Sequence, residues 1–167
     1  MADTRKRSRL DESGVRDAKC KKSVARKTPD VPESILSAAL HGDLARLRAA
    51  HERGCPWHEF ATINAAEGGH LECLRYAHEH GCPWNEQTTW YAAKGGHFEC
   101  LRYAHNNGCP WDARTTASAA AGGDLDCLRY AHENGCPWDW MTISCAAKYG
   151  NLDCLRYAHD HECPWNE

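Results

Sequence analysis

Apolar side chains recur at helical spacing in the stretch "GHFECLRYAHNNGCPWD", Gly96 to Asp112. Phe98, Leu101 and Ala104/His105 fall at i, i+3 and i+6/7, one helix face, and Cys100 and Tyr103 widen it. Glu99 and Arg102 lie three residues apart on the other side, the spacing of a solvated ion pair. The pattern predicts a helix over 97–107, closed by Gly108, since Gly adopts the left-handed conformation of a helix end at no steric cost. Just upstream, "QTTWYAAK" (87–94) predicts a shorter helix with Thr88 as its N-cap and Gly95-Gly96 as its end. Ala92 and Ala93 leave room for a neighbouring layer to approach closely. Cys109-Pro110-Trp111 forms a connecting loop. No segment alternates with a period of two, so the expected fold class is all-α.

This helix–turn–helix–loop unit repeats. "CPW" begins at Cys55, Cys82, Cys109, Cys136 and Cys163, 27 residues apart each time, and "CLRYAH" begins at Cys73, Cys100, Cys127 and Cys154. A worn copy, "RLRAAH", starts at Arg46, and an Ala pair recurs in every unit, first at Ala38-Ala39. A fixed period without insertions predicts a solenoid in which each unit packs on its neighbours. The expected units are 33–59, 60–86, 87–113, 114–140 and 141–167, in a domain spanning 31–167.

"AAKGGHFECLRYAHNNGCPWD" resembles the core of the ankyrin repeat: paired alanines (Ala92-Ala93), a turn Gly-His (Gly96-His97), an apolar second helix (Cys100-Leu101, Tyr103-Ala104) and a Gly near its end (Gly108). The resemblance extends over 33–167. It implies an ankyrin-like solenoid of five repeats that binds another protein and is not an enzyme. Two departures stand out. The family's usual unit is longer by about six residues, and the shortfall lies after Trp111, where the family carries a β-hairpin finger; fingers are therefore expected to be absent or vestigial. The family's Thr-Pro-Leu-His opening is replaced by "QTTW", "RTTA" and "MTIS". This short "GCPW" form is similar to repeats of large DNA viruses, protists and algae. Without fingers, a binding face is expected on the first helices and short loops.

Composition shapes the core. With 2 Phe and 2 Met but 7 Trp, 11 Cys and 11 His, burial must rest on Leu, Ala, Cys, Tyr and Trp. Charge divides the chain: residues 1–30 hold ten Lys/Arg against five Asp/Glu, whereas the rest holds ten against eighteen. The polar tail lacks apolar periodicity and is expected to be disordered. Its clusters Arg5, Lys6, Arg7, Arg9 and Lys19, Lys21, Lys22 resemble a nuclear-import signal, or a polyanion-binding arm. No stretch reads as a signal peptide or a membrane span, so an intracellular protein, cytoplasmic or nuclear, with reduced cysteines is expected.

His97, Cys100, His105 and Cys109 are all good metal ligands, but they belong to ladders with one member per unit. Stacked helices lie roughly 8–10 Å apart, too far to share an ion or a disulfide. Within a unit, Cys109 lies about 13 Å along the axis from Cys100 at 1.5 Å per residue. The His97 position is Asp43, His70, Asp124 and Asn151 elsewhere, a variation that a ligand set would not show. No metal or cofactor is expected, and no catalytic motif appears. The His105 ladder, present in every unit, reads as half-buried imidazoles bonded to loop carbonyls, and the Trp111 ladder as the seal over the missing hairpin. An acidic body argues against using these rings to stack nucleic-acid bases.

Positions that vary between units mark candidate contacts. Variation concentrates on the first helices, and Ile63, Gln87, Trp90, Tyr91, Lys94, Arg114, Trp140 and Met141 form the predicted partner-binding set, rich in types favoured at interfaces. The expected function is a protein-interaction scaffold with a partner of unknown identity. The alternative is a nuclear or DNA-associated factor that uses the basic tail. The chain is expected to be monomeric, with self-association through the last unit as a further option, because no polar capping helix shields that end.

Overall fold

A computed structural model describes residues 35–165; the expected tail (1–30) and its basic clusters lie outside the described residues. Ten helices form five antiparallel pairs: α1 (Ile35–Leu40) with α2 (Leu44–Glu52), α3 (Phe60–Glu67) with α4 (Leu71–Glu79), α5 (Glu86–Lys94) with α6 (Phe98–Asn106), α7 (Ala113–Gly122) with α8 (Leu125–Glu133), and α9 (Trp140–Tyr149) with α10 (Leu152–Asp160). There is no strand among the described residues, so the all-α expectation holds and the finger is absent there.

Each first helix stacks closely on the next, whereas the second helices touch more sparsely. Side-chain size explains the difference. The first helices bury Ala61, Ala65 and Ala66, Ala92 and Ala93, Ala119 and Ala120, together with Thr62, Thr88, Thr89, Thr115 and Thr116. Such small groups let backbones approach. The second helices insert Leu47, Leu74, Leu101 and Leu128, all fully buried. Removing each from water contributes about 1.5–3 kcal/mol. A stack tight on one side and looser on the other curves toward the first helices.

The helix ends show how the sequence sets the units. Thr88 does not cap α5: it is buried in the layer, and Asn85 accepts from Gln87 N at 3.0 Å instead. Asp112 and Asp139 cap α7 and α9 the same way, each at 2.9 Å. Gly96 turns the chain with φ +68°, and a Cβ there would press to 3.0 Å on Asp124 Oδ2 of the next unit. In the last unit, Glu162 takes the place of the closing Gly at φ 58°, a strained position for a residue with a side chain.

Candidate protein-binding face

The first helices carry a set of side chains that are not buried in the Ala/Thr layer. In α5 these are Gln87, Trp90, Tyr91 and Lys94; the first three are half-buried and Lys94 is exposed. In α7 the set includes exposed Arg114, and in α9 Trp140 (45% exposed) and Met141 (38%). Ile63, a predicted contact, is 3% exposed and packs inside the core, so it does not belong to this set. In its column Ile63 and Ala117 are buried, Leu36 and Trp90 half-buried and Ser144 exposed, so depth there does not follow side-chain size.

Trp90 is held from both sides. Its indole N–H donates to Asp112 Oδ1 at 2.8 Å, and the Arg114 guanidinium lies over its ring, 4.5 Å from the centroid. Asp112 thus serves as helix cap, indole acceptor and ion partner of Arg114 (3.8 Å). The ion pair is exposed and weak in water. The ring stack and indole bond hold an aromatic–Arg element in one arrangement across units 3 and 4. Phe60 (46% exposed) sits in the same column as Gln87, Arg114 and Met141 and stacks on His58 at 4.9 Å. Unit-to-unit variation marks that column, but only burial distinguishes an exposed Phe from a packed one.

The ligand-like residues turn elsewhere. His97 Nε2 bonds to Glu67 O of the preceding unit at 2.9 Å, and His70 bonds to Leu40 O at 3.1 Å. Asn151 makes the equivalent link, donating to Ala120 O and Ala121 O. Asp43 and Asp124 instead cap their own helices, accepting from Arg46 N and Cys127 N. The position thus varies because it can satisfy either of two sets of backbone groups. The loop cysteines donate their thiols to the carbonyl that precedes the first helix of their unit: Cys82 to His58 O, Cys109 to Asn85 O, Cys136 to Asp112 O and Cys163 to Asp139 O, at 3.2–3.4 Å. Burial pushes Cys109, Cys100 and Cys136 up to about 12, so these thiols stay protonated, unlike metal-bound thiolates. Among the described residues no group of three or more His, Cys, Asp or Glu converges to hold an ion.

The histidine ladder has a different partner from the expected loop carbonyl. His51, His78, His105 and His132 Nδ1 each pair with the hydroxyl of a tyrosine in the next unit, Tyr76, Tyr103, Tyr130 and Tyr157, at 2.9–3.0 Å. His78, His105 and His132 also lie flat on the Trp of their own loop, with centroids 3.8 Å apart. Tyr130 donates to Asn106 Oδ1 at 3.2 Å, so it accepts from His105 Nδ1–H. The Trp ladder therefore backs an inter-unit joint as well as covering the loop edge. Sequence gave no sign of this pairing, since the partners are 25 residues apart.

Known proteins resemble this arrangement. Residues 89–132 match the family model for ankyrin repeats (many copies). The crystal structure of the human ASB11 ankyrin repeat domain superposes with a TM-score of 0.66 at 16% identity, covering 80% of this chain and 70% of that one. No curated protein matches the chain. Residues 89–132 thus match the ankyrin-repeat family model, and the described residues share the helical solenoid fold of an ankyrin repeat domain.

Proposed function

We propose that this protein is a non-enzymatic scaffold that binds a protein partner on the first-helix face of units 2–5. The observation that carries this reading is the division of labour along each first helix. One side is built of near-identical buried Ala and Thr, while the other presents unlike side chains, including Phe60, Tyr91, Arg114, Trp140 and Met141. Large apolar groups left partly in water beside cations are the composition of a protein contact. In this reading the short period and missing finger put the chain with the "GCPW" repeats similar to those of large DNA viruses, protists and algae. No described helix is long and apolar enough to cross a membrane, and the partner is taken to be intracellular.

The test is capture from source-cell lysate with Trp140→Ala/Met141→Ala and, as control, Arg75→Ala/Arg102→Ala on the outer helices. Both pairs are exposed, so the circular dichroism spectrum should not change. Loss with the first pair and retention with the second supports the reading; equal retention contradicts it. DNA binding that vanishes on deleting 1–30 while the first pair has no effect would favour the tail-based alternative.

A further inference from the structure

The stack does not need the Trp90–Arg114 element. The same two columns hold Ile63 with Gln87 one unit earlier and Ala117 with Met141 one unit later, and those first helices stack as well. What the element does is hold a guanidinium with donors to spare. Arg114 lies over the indole, its Nε faces Asp112 Oδ2 at 3.8 Å, and its side chain is 63% exposed. Among the described residues neither Nη group has an acceptor, which leaves open a fork of the kind that meets a carboxylate with paired bonds. Lys94, on the same helix as Trp90, is exposed and has no carboxylate partner among the described residues. The nearby acids are already engaged or lie elsewhere. Asp112 serves the α7 cap, the indole and Arg114. Half-buried Glu86 is in the first turn of α5, against the positive end of that helix. Glu99, Asp126 and Glu133 stand on the second helices, a helix diameter of about 10 Å away, where salt screens them.

We infer that units 3 and 4 bind an acidic peptide segment of the partner, with one carboxylate on the Arg114 Nη groups, a second drawn to Lys94, and an apolar side chain against Tyr91. The inference rests on the reading of the first helices as a protein-binding site and names the chemistry of what they bind. Charge complementarity carries it: the two exposed charges here are cations, and one is held on an aromatic ring. A phosphate dianion fits less well, because it would sit on a guanidinium already 3.8 Å from Asp112, where a second negative charge adds repulsion.

The probe is acetyl-Glu-Glu-Phe-Glu-Glu-amide, titrated into the full chain while the Trp90 indole N–H is followed by NMR and identified with Trp90→Phe. The expected result is a saturable shift at Trp90. The Gln analogue, acetyl-Gln-Gln-Phe-Gln-Gln-amide, should bind about 10-fold more weakly, and Arg114→Gln should lose about 10-fold toward the acidic peptide, the worth of one charged pair. Arg114→Lys keeps the charge without the fork and should recover only part of that loss. Lys94→Gln, whose side chain takes no part in the Trp90–Asp112 bond, should cost about 3-fold and keeps the test open if Arg114→Gln loosens the layer. Peptide attracted to the basic tail does not shift Trp90 and stays bound in Arg114→Gln. No saturable shift at Trp90, or equal affinity for the Glu and Gln peptides, overturns the acidic partner. Inorganic phosphate that shifts Trp90 at lower concentration than the acidic peptide assigns the site to phosphate and overturns it too. If the peptide fails while a crosslinker at Gln87 or Met141 still yields a protein adduct, the protein-binding reading stands and the acidic class alone falls.

Discussion

Replacing Tyr130 with Phe removes one oxygen from the middle of the stack and leaves the ring in place. That oxygen links units 3 and 4: it accepts from His105 Nδ1 at 2.9 Å and donates to Asn106 Oδ1 at 3.2 Å. Asn106 is exposed and regains water, so its bond contributes little. The His105 N–H is half-buried against Trp111 and loses its partner, which costs about 1–2 kcal/mol. The ring keeps its contacts with Phe98 and Trp111, so the cavity cost of a larger truncation does not arise. A double-mutant cycle with His105→Phe, which preserves the stack on Trp111, isolates the bond; a coupling of about 1 kcal/mol is expected. Urea unfolding followed by circular dichroism measures each corner, with an unchanged m-value as the check that one cooperative unit is observed. A Tyr130→Phe chain within ~0.3 kcal/mol of the wild type, or zero coupling to His105, refutes the joint as an energetic link between units.

Burial lowers the His105 pKa, and burial followed by the neighbouring His161 lowers that of His132. The unfolded chain therefore binds these protons first, and stability should fall as pH drops below about 6.5 toward the lower folded values; a urea midpoint unchanged between pH 7 and 5, or a decline that persists in His105→Asn/His132→Asn, contradicts this. Glu162→Gly should stabilise the last unit by about 1 kcal/mol by relieving the positive φ, read as slower amide exchange in α10, and no change there would count against strain at Glu162. Of the ten described cysteines, only half-buried Cys55 and Cys145 should react quickly with a maleimide at pH 7.5, while chelator treatment leaves the unfolding midpoint unchanged; rapid labelling of Cys109 would show that its thiol is not held in the layer.

The repeat was legible because a period of 27 makes each unit a control for the others. Comparing units showed Asp43, His70, Asp124 and Asn151 at the His97 position, a variation that argued for structural side chains, and the structure ties each of them to backbone groups. The two ways of satisfying backbone groups there could not be read from the variation. Local chemistry misled at Thr88, where a good capping residue stands three positions after a better one, Asn85, and is drawn into the layer. Ile63 was misplaced for a related reason: variation between units marks a column, but whether its residue reaches the surface depends on the layers packed around it, and Ile63 is buried where Ser144, in the last unit's first helix, is exposed. The His–Tyr joint was hidden by distance along the chain, although its two ladders were both visible.

The most direct measurement of the central claim is site-specific photo-crosslinking in the source cell. A crosslinker at Gln87, Arg114 or Met141 probes the first-helix face, and one at Arg75, Arg102 or Arg129 probes the outer helices. The account predicts a protein adduct of one mass from the first set and none from the second. Adducts from the outer set alone would contradict it.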